Sequence, residues 1–466
     1  MTAEKSVCII GAGPAGLCTA KCCISTEAGG GNINVTIFEQ NKRLGGTWVY
    51  DGEEDAAEKH SSMYENLITN RAREVMAYMG FPFKDSSSLT SPSFITRQEV
   101  LSYLDEYSQP TQHLIQYNTK VLAIERDKVS EKWKVNVKKV VDRKSQNEDG
   151  LAKCQEMEEH IFDAVFVCNG HFTVPRTPSF AEKYKKPAIH CHYYRRPSDY
   201  NGKTVAVVGA GPSGCDICLQ LAECAKKVYL IHRNPSPMNT SFGPLPPNCE
   251  EVPSAIDADT DALILADGRR LNDADWAIYC VGYKYDLPFF SQHNVELKGV
   301  DNSESLIRTP GDGAMISPLF AHCIHMKYWD SLFFVGLNFE CLHFIVSELQ
   351  ARLALAFMNH RLTKEKLKDD FDEFEEKRCS QLKTINAPLK FYHRLAAEQW
   401  NHYDWMRQLV NTANEPFPHI KPIPEVPLVV RRIYDDVSNQ RQSNLQNFKK
   451  ISYKVEDEEN FSCIQF

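Results

Sequence analysis

A mixed α/β fold built on two β-α-β units is predicted by three features of this 466-residue chain. The motif G-A-G-P-x-G occurs twice, at Gly11 and at Gly209, each time directly after a short apolar run. Each copy opens an apolar stretch of helical length. Each stretch then leads into a second apolar, β-branched run.

Taken in order, S-V-C-I-I reads as a buried strand, Gly11, Gly13 and Gly16 as the turn, and the helix begins near Ala15. Gly29–Gly31 form a loop before the strand V-T-I-F, which ends at Glu39. The second copy runs T-V-A-V-V, then Gly209, Gly211 and Gly214, then the helix C-D-I-C-L-Q-L-A-E-C. Its closing strand V-Y-L-I ends at His232-Arg233. Between the copies, W-K-V-N-V and F-D-A-V-F-V-C-N-G read as strands. Asp142–His160 is polar and is expected to be an exposed hairpin excursion. Pro235–Pro253 holds six prolines and is expected to be a loop. Thr363–Arg378 is expected to be a charged helix on the surface. These pieces divide the chain into a split domain, residues 1–168 and 290–450, with residues 169–289 inserted between its halves. The C-terminal part is helical, and 451–466 is expected to be a polar, acidic tail.

Composition narrows the function. Fifty-three basic and 61 acidic side chains leave a net charge of −8, which argues against nucleic acid as a partner. Apolar residues at 42% and charged ones at 24% describe a soluble globular chain with a large core. Sixteen cysteines, with no basic and apolar leader before the first strand, point to reduced thiols in the cytoplasm. The most apolar stretch, Leu332–Phe357, is interrupted by Asn338, Glu340, His343, Glu348, Gln350 and Arg352, so no membrane anchor is expected. Cys463 stands fourth from the end, but Gln465 occupies a position that prenylation gives to an aliphatic residue.

The chemistry lies in the two turns. The first glycine of each permits the tight turn and the second admits a pyrophosphate. The third lets helix and strand pack closely, with the anion at the helix N-terminus. Glu39 follows the first turn at a strand end, where a carboxylate accepts ribose hydroxyls. The second turn has Arg233 at the matching place and no acid, which suits a 2′-phosphate. Two Rossmann-like dinucleotide-binding domains result, an FAD domain split by an inserted NADP domain, which implies a flavin fed by NADPH.

The runs N-K-R-L-G-G-T-W-V-Y, H-S-S-M-Y-E-N-L-I-T-N and V-C-N-G-H-F-T-V-P-R-T-P, in this order, resemble the flavin-containing monooxygenases. The branch without a membrane-anchoring tail is the nearer match, and the likeness covers residues 1 to about 355. The resemblance implies that Gly45, Gly46, Thr47 and Trp48 wrap the flavin, with Leu44, His60 and Ser61 close by. It implies further cofactor contacts from Pro14, Ala15, Gln40, Thr69, Ser213 and Asn338, and places Asn70 at the oxygen adduct and the nicotinamide. The family's identifying motif is matched only in part: His190 and Tyr194 fit, whereas Tyr184 and Lys186 replace a Phe and a Gly. Cys280-Val281-Gly282-Tyr283 resembles the later crossing strand, and Gln350-Ala351-Arg352 the helix behind the flavin. The implied activity is NADPH- and dioxygen-dependent N- or S-oxygenation of small lipophilic amines, sulfides or alkaloids through a flavin hydroperoxide. Asn70 is the catalytic residue, no metal is required, and a homo-oligomer is left open.

Two rivals have motifs of their own. Cys215 and Cys218 have the C-x-x-C spacing of an FAD- and NADPH-dependent disulfide reductase. The altered Tyr184 and Lys186 would suit a non-catalytic nucleotide-binding protein. His322, Cys323 and His325 offer at most half a metal site, with the two histidines on one helix face.

Overall fold

The computed structural model describes residues 4–50, 52, 61–84, 89–140, 157–233, 244–290 and 307–466. Two sheets organise it. In the first, Leu332–Phe334, Ala164–Val167, Lys5–Ile10, Ile33–Phe38 and Ile115–Gln116 lie side by side and parallel. Leu319–Phe320 and Ile324–His325 extend one edge in antiparallel fashion. The second sheet is wholly parallel, in the order Cys249–Pro253, Lys227–His232, Thr204–Val208, Trp276–Tyr279 and Ala188–His190. Each glycine turn leaves the carboxyl end of a central strand flanked on one side by the next strand of its unit and on the other by a much later one, so the connections run to opposite sides. Ligands bind at such switch points.

The strands are apolar runs because both faces are covered: every residue of Thr204–Val208 and of Ala164–Val167 is buried. On the first sheet the cover is the helix Pro14–Ile24 and, packed against it, the helix His343–Met358. The second of these is buried almost all round, including Gln350 and Arg352, as a helix inside a core must be. The chain passes between the sheets twice, and the passages pair as the short ribbon Val174–Pro175 with Tyr283–Lys284.

Two expectations are revised, and a third lies largely outside the described residues. Pro235–Pro253 is not loop throughout: residues 234–243 lie outside the described residues, but Cys249–Pro253 is the outer strand of the second sheet. Pro253 is tolerated because it ends an edge strand. The excursion Asp142–His160 lies largely outside the described residues, and Glu158–Phe162 is a strand paired with Trp133–Lys139. Residues 451–466 are no loose tail. Ile451–Val455 and Phe461–Gln465 form a hairpin in which Cys463 faces Tyr453. Its first strand is anchored on Ser93, whose N–H donates to Ile451 O at 2.9 Å and whose Oγ accepts from Tyr453 N at 2.8 Å. Burial of Ile451 and Tyr453 outweighs the exposed acids of the hairpin tip. The helix Lys368–Thr384 agrees with the predicted charged segment and buries Phe371 and Leu382.

Among the described residues no helix is long and apolar enough to cross a membrane. One core acid makes stability depend on pH. Burial lifts the Glu348 carboxyl from 4.5 to about 7, although it accepts from Met79 N at 3.1 Å. The folded state therefore holds that proton more tightly than the unfolded chain. Its contribution is full below pH 4.5 and is lost as pH rises through about 7. Glu348→Gln keeps an acceptor for Met79. It should raise Tm little at pH 5 and, above pH 7, stabilise by about 2–3 kcal/mol, as followed by thermal melts across pH.

Candidate active site

Both glycine turns are built around approaches that no side chain survives. At Gly11 (φ +101°) a Cβ would meet Cys168 O at 2.7 Å, and at Gly16 one would stand 1.9 Å from Gly11 O. The second turn repeats this, with Gly209 (φ +108°) against Cys280 O at 2.4 Å and Gly214 against Gly209 O at 1.8 Å. Gly13 and Gly211 cap their helices without any side-chain bond, and Pro14 and Pro212 follow them. The first-turn amides of both helices are therefore open to an anion.

A cavity of about 510 Å³ joins the two turns. Its walls include Gly11, Gly13, Pro14, Ala15, Glu39, Gln40, Gly46, Thr47, Trp48, Ser61, Thr69 and Asn70 from the first unit, and Ser213 from the second. The segment Gly45–Trp48 folds over the first turn: Gly45 N donates to Ala12 O at 2.9 Å. A Cβ on Gly46 (φ +54°) would reach Gly13 Cα at 2.8 Å. Glu39 is buried and takes Ala12 N on one oxygen and Asn41 N on the other, each at 2.8 Å. Burial raises its pKa against those hydrogen bonds; Oε1 also accepts from Asn41 Nδ2 at 2.8 Å, whereas Oε2 retains acceptor capacity. Ser61 Oγ ties this segment to Thr47 O at 3.0 Å, and Thr69 Oγ1 accepts from Ile95 N at 3.0 Å. Thus Ser61 and Thr69 shape the wall, while the Asn70 amide beside them makes no hydrogen bond to any described residue.

The other sequence-predicted residues fall into three groups. Gly16, Gly45, Gly209, Gly211, Gly214 and buried Leu44 lie behind the wall and set its shape. His60 lies outside the described residues. Arg233 is exposed just past the strand Lys227–His232. Near it lie two further basic groups, since burial and then the charges of Arg176 and Arg233 hold the Lys390 pKa down.

Asn338 is a correction. It is fully buried beneath the cavity, where its amide accepts from Gln350 Nε2 at 2.7 Å and donates to His393 O at 3.1 Å. It does not line the cavity.

The rival motifs are also placed. Cys215 points its thiol at Ala210 O at 3.4 Å, and Cys218 lies beside Cys249; both are buried between helix and sheet. Burial raises the Cys215 thiol, and the Cys249 contact followed by burial raises Cys218. Neither thiol lines the cavity. His322 and His325 do not share a helix face. His322 sits in a turn at φ +59° with its ring on His393 at 3.1 Å, and His325 is in a strand. Among the described residues no group of three metal-ligating side chains is assembled.

Three cavity residues escaped the sequence reading. His171, inside a quoted motif, has both ring nitrogens buried without a partner, and burial pushes its pKa down to about 3. Asp216 accepts from Tyr64 Oη and pairs with Lys449, which also donates to Ile68 O at 2.9 Å. Only packing of the C-terminal residues brings Lys449 there, so no local pattern reveals it.

A cradle that a Cβ would fill, open helix amides and an orphaned buried imidazole fit a bound dinucleotide. Fold and site therefore define a flavoprotein with two dinucleotide-binding units. The Flavin-binding monooxygenase-like family profile matches residues 4–241. Flavin-containing monooxygenase FMO GS-OX5 of Arabidopsis thaliana is 31% identical over 428 residues, covering 87% of this chain and 84% of the relative. S-allyl-L-cysteine S-oxygenase from Allium sativum superposes with a TM-score of 0.77 at 26% identity, covering 96% and 94% of the two chains. Tmm from Pelagibacter sp. strain HTCC7211 shares the fold, with a TM-score of 0.73 at 21% identity and coverage of 98% and 95%. The chain belongs to the flavin-binding monooxygenase family, and it is a flavin-dependent monooxygenase. The cofactors of this class are FAD and NADPH.

Gly46→Ala should leave a folded protein with much reduced FAD content, because the added methyl enters the Gly13 backbone at 2.8 Å. The ratio of flavin to protein absorbance after purification measures it.

Proposed function

We propose that this protein is an NADPH-dependent oxygenase that transfers one oxygen atom of dioxygen to the sulfur or nitrogen of a small soft nucleophile. The observation that carries the reading is the single cavity spanning both glycine turns, with the uncommitted Asn70 amide in its wall. On this reading residues 1–168 and 290–450 hold FAD and residues 169–289 hold NADPH. The flavin, when bound, supplies hydride acceptance and the activation of dioxygen to an electrophilic oxygen. The Gly11 and Gly209 turns offer their helix amides to the two pyrophosphates, Glu39 takes the ribose hydroxyls, and Arg233 takes the 2′-phosphate.

The remaining task of the chain is to bind, orient and exclude water. Asn70 holds a neutral amide at the reacting end, able to donate a hydrogen bond without giving up a proton. His171 is neutral at working pH through burial and likewise cannot supply one. The match to a relative titled S-allyl-L-cysteine S-oxygenase supports sulfur as an acceptor. The buried, high-pKa Cys215 and Cys218 do not suit a thiol nucleophile.

Asn70→Asp should retain flavin and NADPH oxidation but divert most of the reducing power to hydrogen peroxide. Product yield per NADPH oxidised, on a thioether and a tertiary amine, checks this; an unchanged yield removes Asn70 from the role. Arg233→Ala should raise KM for NADPH about 10-fold or more while sparing that for NADH, since a charge-assisted pair contributes about 1.5–3 kcal/mol. Equal effects on both coenzymes would place the 2′-phosphate elsewhere.

A further inference from the structure

Next to Asn70 the cavity wall holds a cation that forms no ion pair with any described residue. Arg71 lines the cavity, and its contacts are all to neutral groups. Nη1 donates to Ser438 Oγ at 3.1 Å and Nη2 to Tyr434 Oη at 2.8 Å, and the guanidinium lies 3.9 Å from the centre of the Tyr434 ring. These bonds use two of the five N–H donors that a guanidinium carries. Among the described residues no carboxylate stands within ion-pair distance of it. The charges of Glu340 and Asp435 reach it without forming an ion pair: Glu340 is held by Arg394 at 2.7 Å, and Asp435 is exposed.

The surroundings make matters worse. Arg441 follows Tyr434 and Ser438 on the same face of the helix Leu428–Ser443, and its like charge opposes that of Arg71. Arg441 Nη2 is itself buried with no hydrogen-bond partner. By contrast Arg431, earlier on this helix, is paired with Asp404 at 2.9 Å, and the cavity's Lys449 is paired with Asp216. Burying a cation without an opposite charge is costly, so the site is arranged for an anion that arrives from outside.

We infer that Arg71 receives a carboxylate on the thioether or amine substrate, and so selects anionic over neutral soft nucleophiles. The inference rests on the oxygenase reading above. The coenzyme phosphates have their own donors in the open amides of Pro212–Ala222, whereas Arg71 directly follows Asn70 at the reacting end. Arg71 is thus a specificity residue: it anchors one end of the substrate while the sulfur or nitrogen faces the flavin.

The test uses two probes of equal shape, 3-(methylthio)propanoate and 3-(methylthio)propanamide, with the full-length holoenzyme. The carboxylate should have the higher kcat/KM by about 10- to 100-fold, the range of a charge-assisted hydrogen bond. Arg71→Met should collapse that ratio through the carboxylate KM, and Arg71→Lys should recover part of it. On the unsubstituted enzyme, pentanoate should inhibit amide oxygenation competitively and pentanamide should not, which needs no variant to fold. Equal losses on both probes, a rise in KM for NADPH in place of the substrate effect, or no inhibition by pentanoate would each overturn the assignment. Amide turnover without carboxylate preference defeats Arg71 alone. NADPH oxidation yielding only peroxide with every thioether and amine defeats the oxygenase reading, and the inference with it.

Discussion

Strand, turn and helix can meet in this protein only because the first and third glycine positions of each turn carry no side chain. The Gly16 and Gly214 Cβ positions are occupied by the carbonyl oxygens of Gly11 and Gly209, less than a bond-contact distance away. That approach brings the helix N-terminus to the end of a central strand, with its first amides unspent. Everything else at the site is arranged around those amides. Glu39 holds the loop by taking Ala12 N, and Gly46 lies against Gly13 so that a second backbone segment closes the same corner.

The electrostatics of the cavity follow a division of labour. At the dinucleotide corners the protein offers backbone dipoles, which favour anions without a mobile charge. Elsewhere along the wall it offers neutral groups: the Asn70 amide, and His171 kept uncharged by burial. Full cations are used sparingly there. Lys449 is neutralised by Asp216, whereas Arg71 rests on hydroxyls and an aromatic face. A cation solvated in that way retains its field, while one in an ion pair does not.

The C-terminal segments do more than cover the core. The helix Leu428–Ser443 supplies the hydroxyls that hold Arg71, and Lys449 bridges the first unit to the first turn of the second through Asp216. The hairpin that follows is tied back to Ser93 through that residue's N–H and its Oγ. These contacts connect residues hundreds of positions apart in sequence. Their hydrophobic anchors, Ile451 and Tyr453, are flanked by so many acids that local polarity hides them.

Sequence alone determined what depends on short range. Glycines at fixed offsets after an apolar strand dictate a turn, and the turn dictates a helix N-terminus; an acid or arginine at the next strand end completes the unit within a few tens of residues. The same locality pointed to Asn70 and to Gly46, Thr47 and Trp48, which line the cavity. Tertiary structure decided what depends on neighbours brought in from afar. Asn338 lies in a promising strand-end motif, yet Gln350 and His393 claim its amide and remove it from the wall. Cys249–Pro253 reads as a proline loop, yet a vacant sheet edge makes it a strand. Arg71 is an ordinary arginine in sequence. Its meaning comes from a helix more than three hundred residues away that covers it and holds it by hydroxyls with no ion pair among the described residues, because charge is priced by its surroundings and those are assembled only on folding.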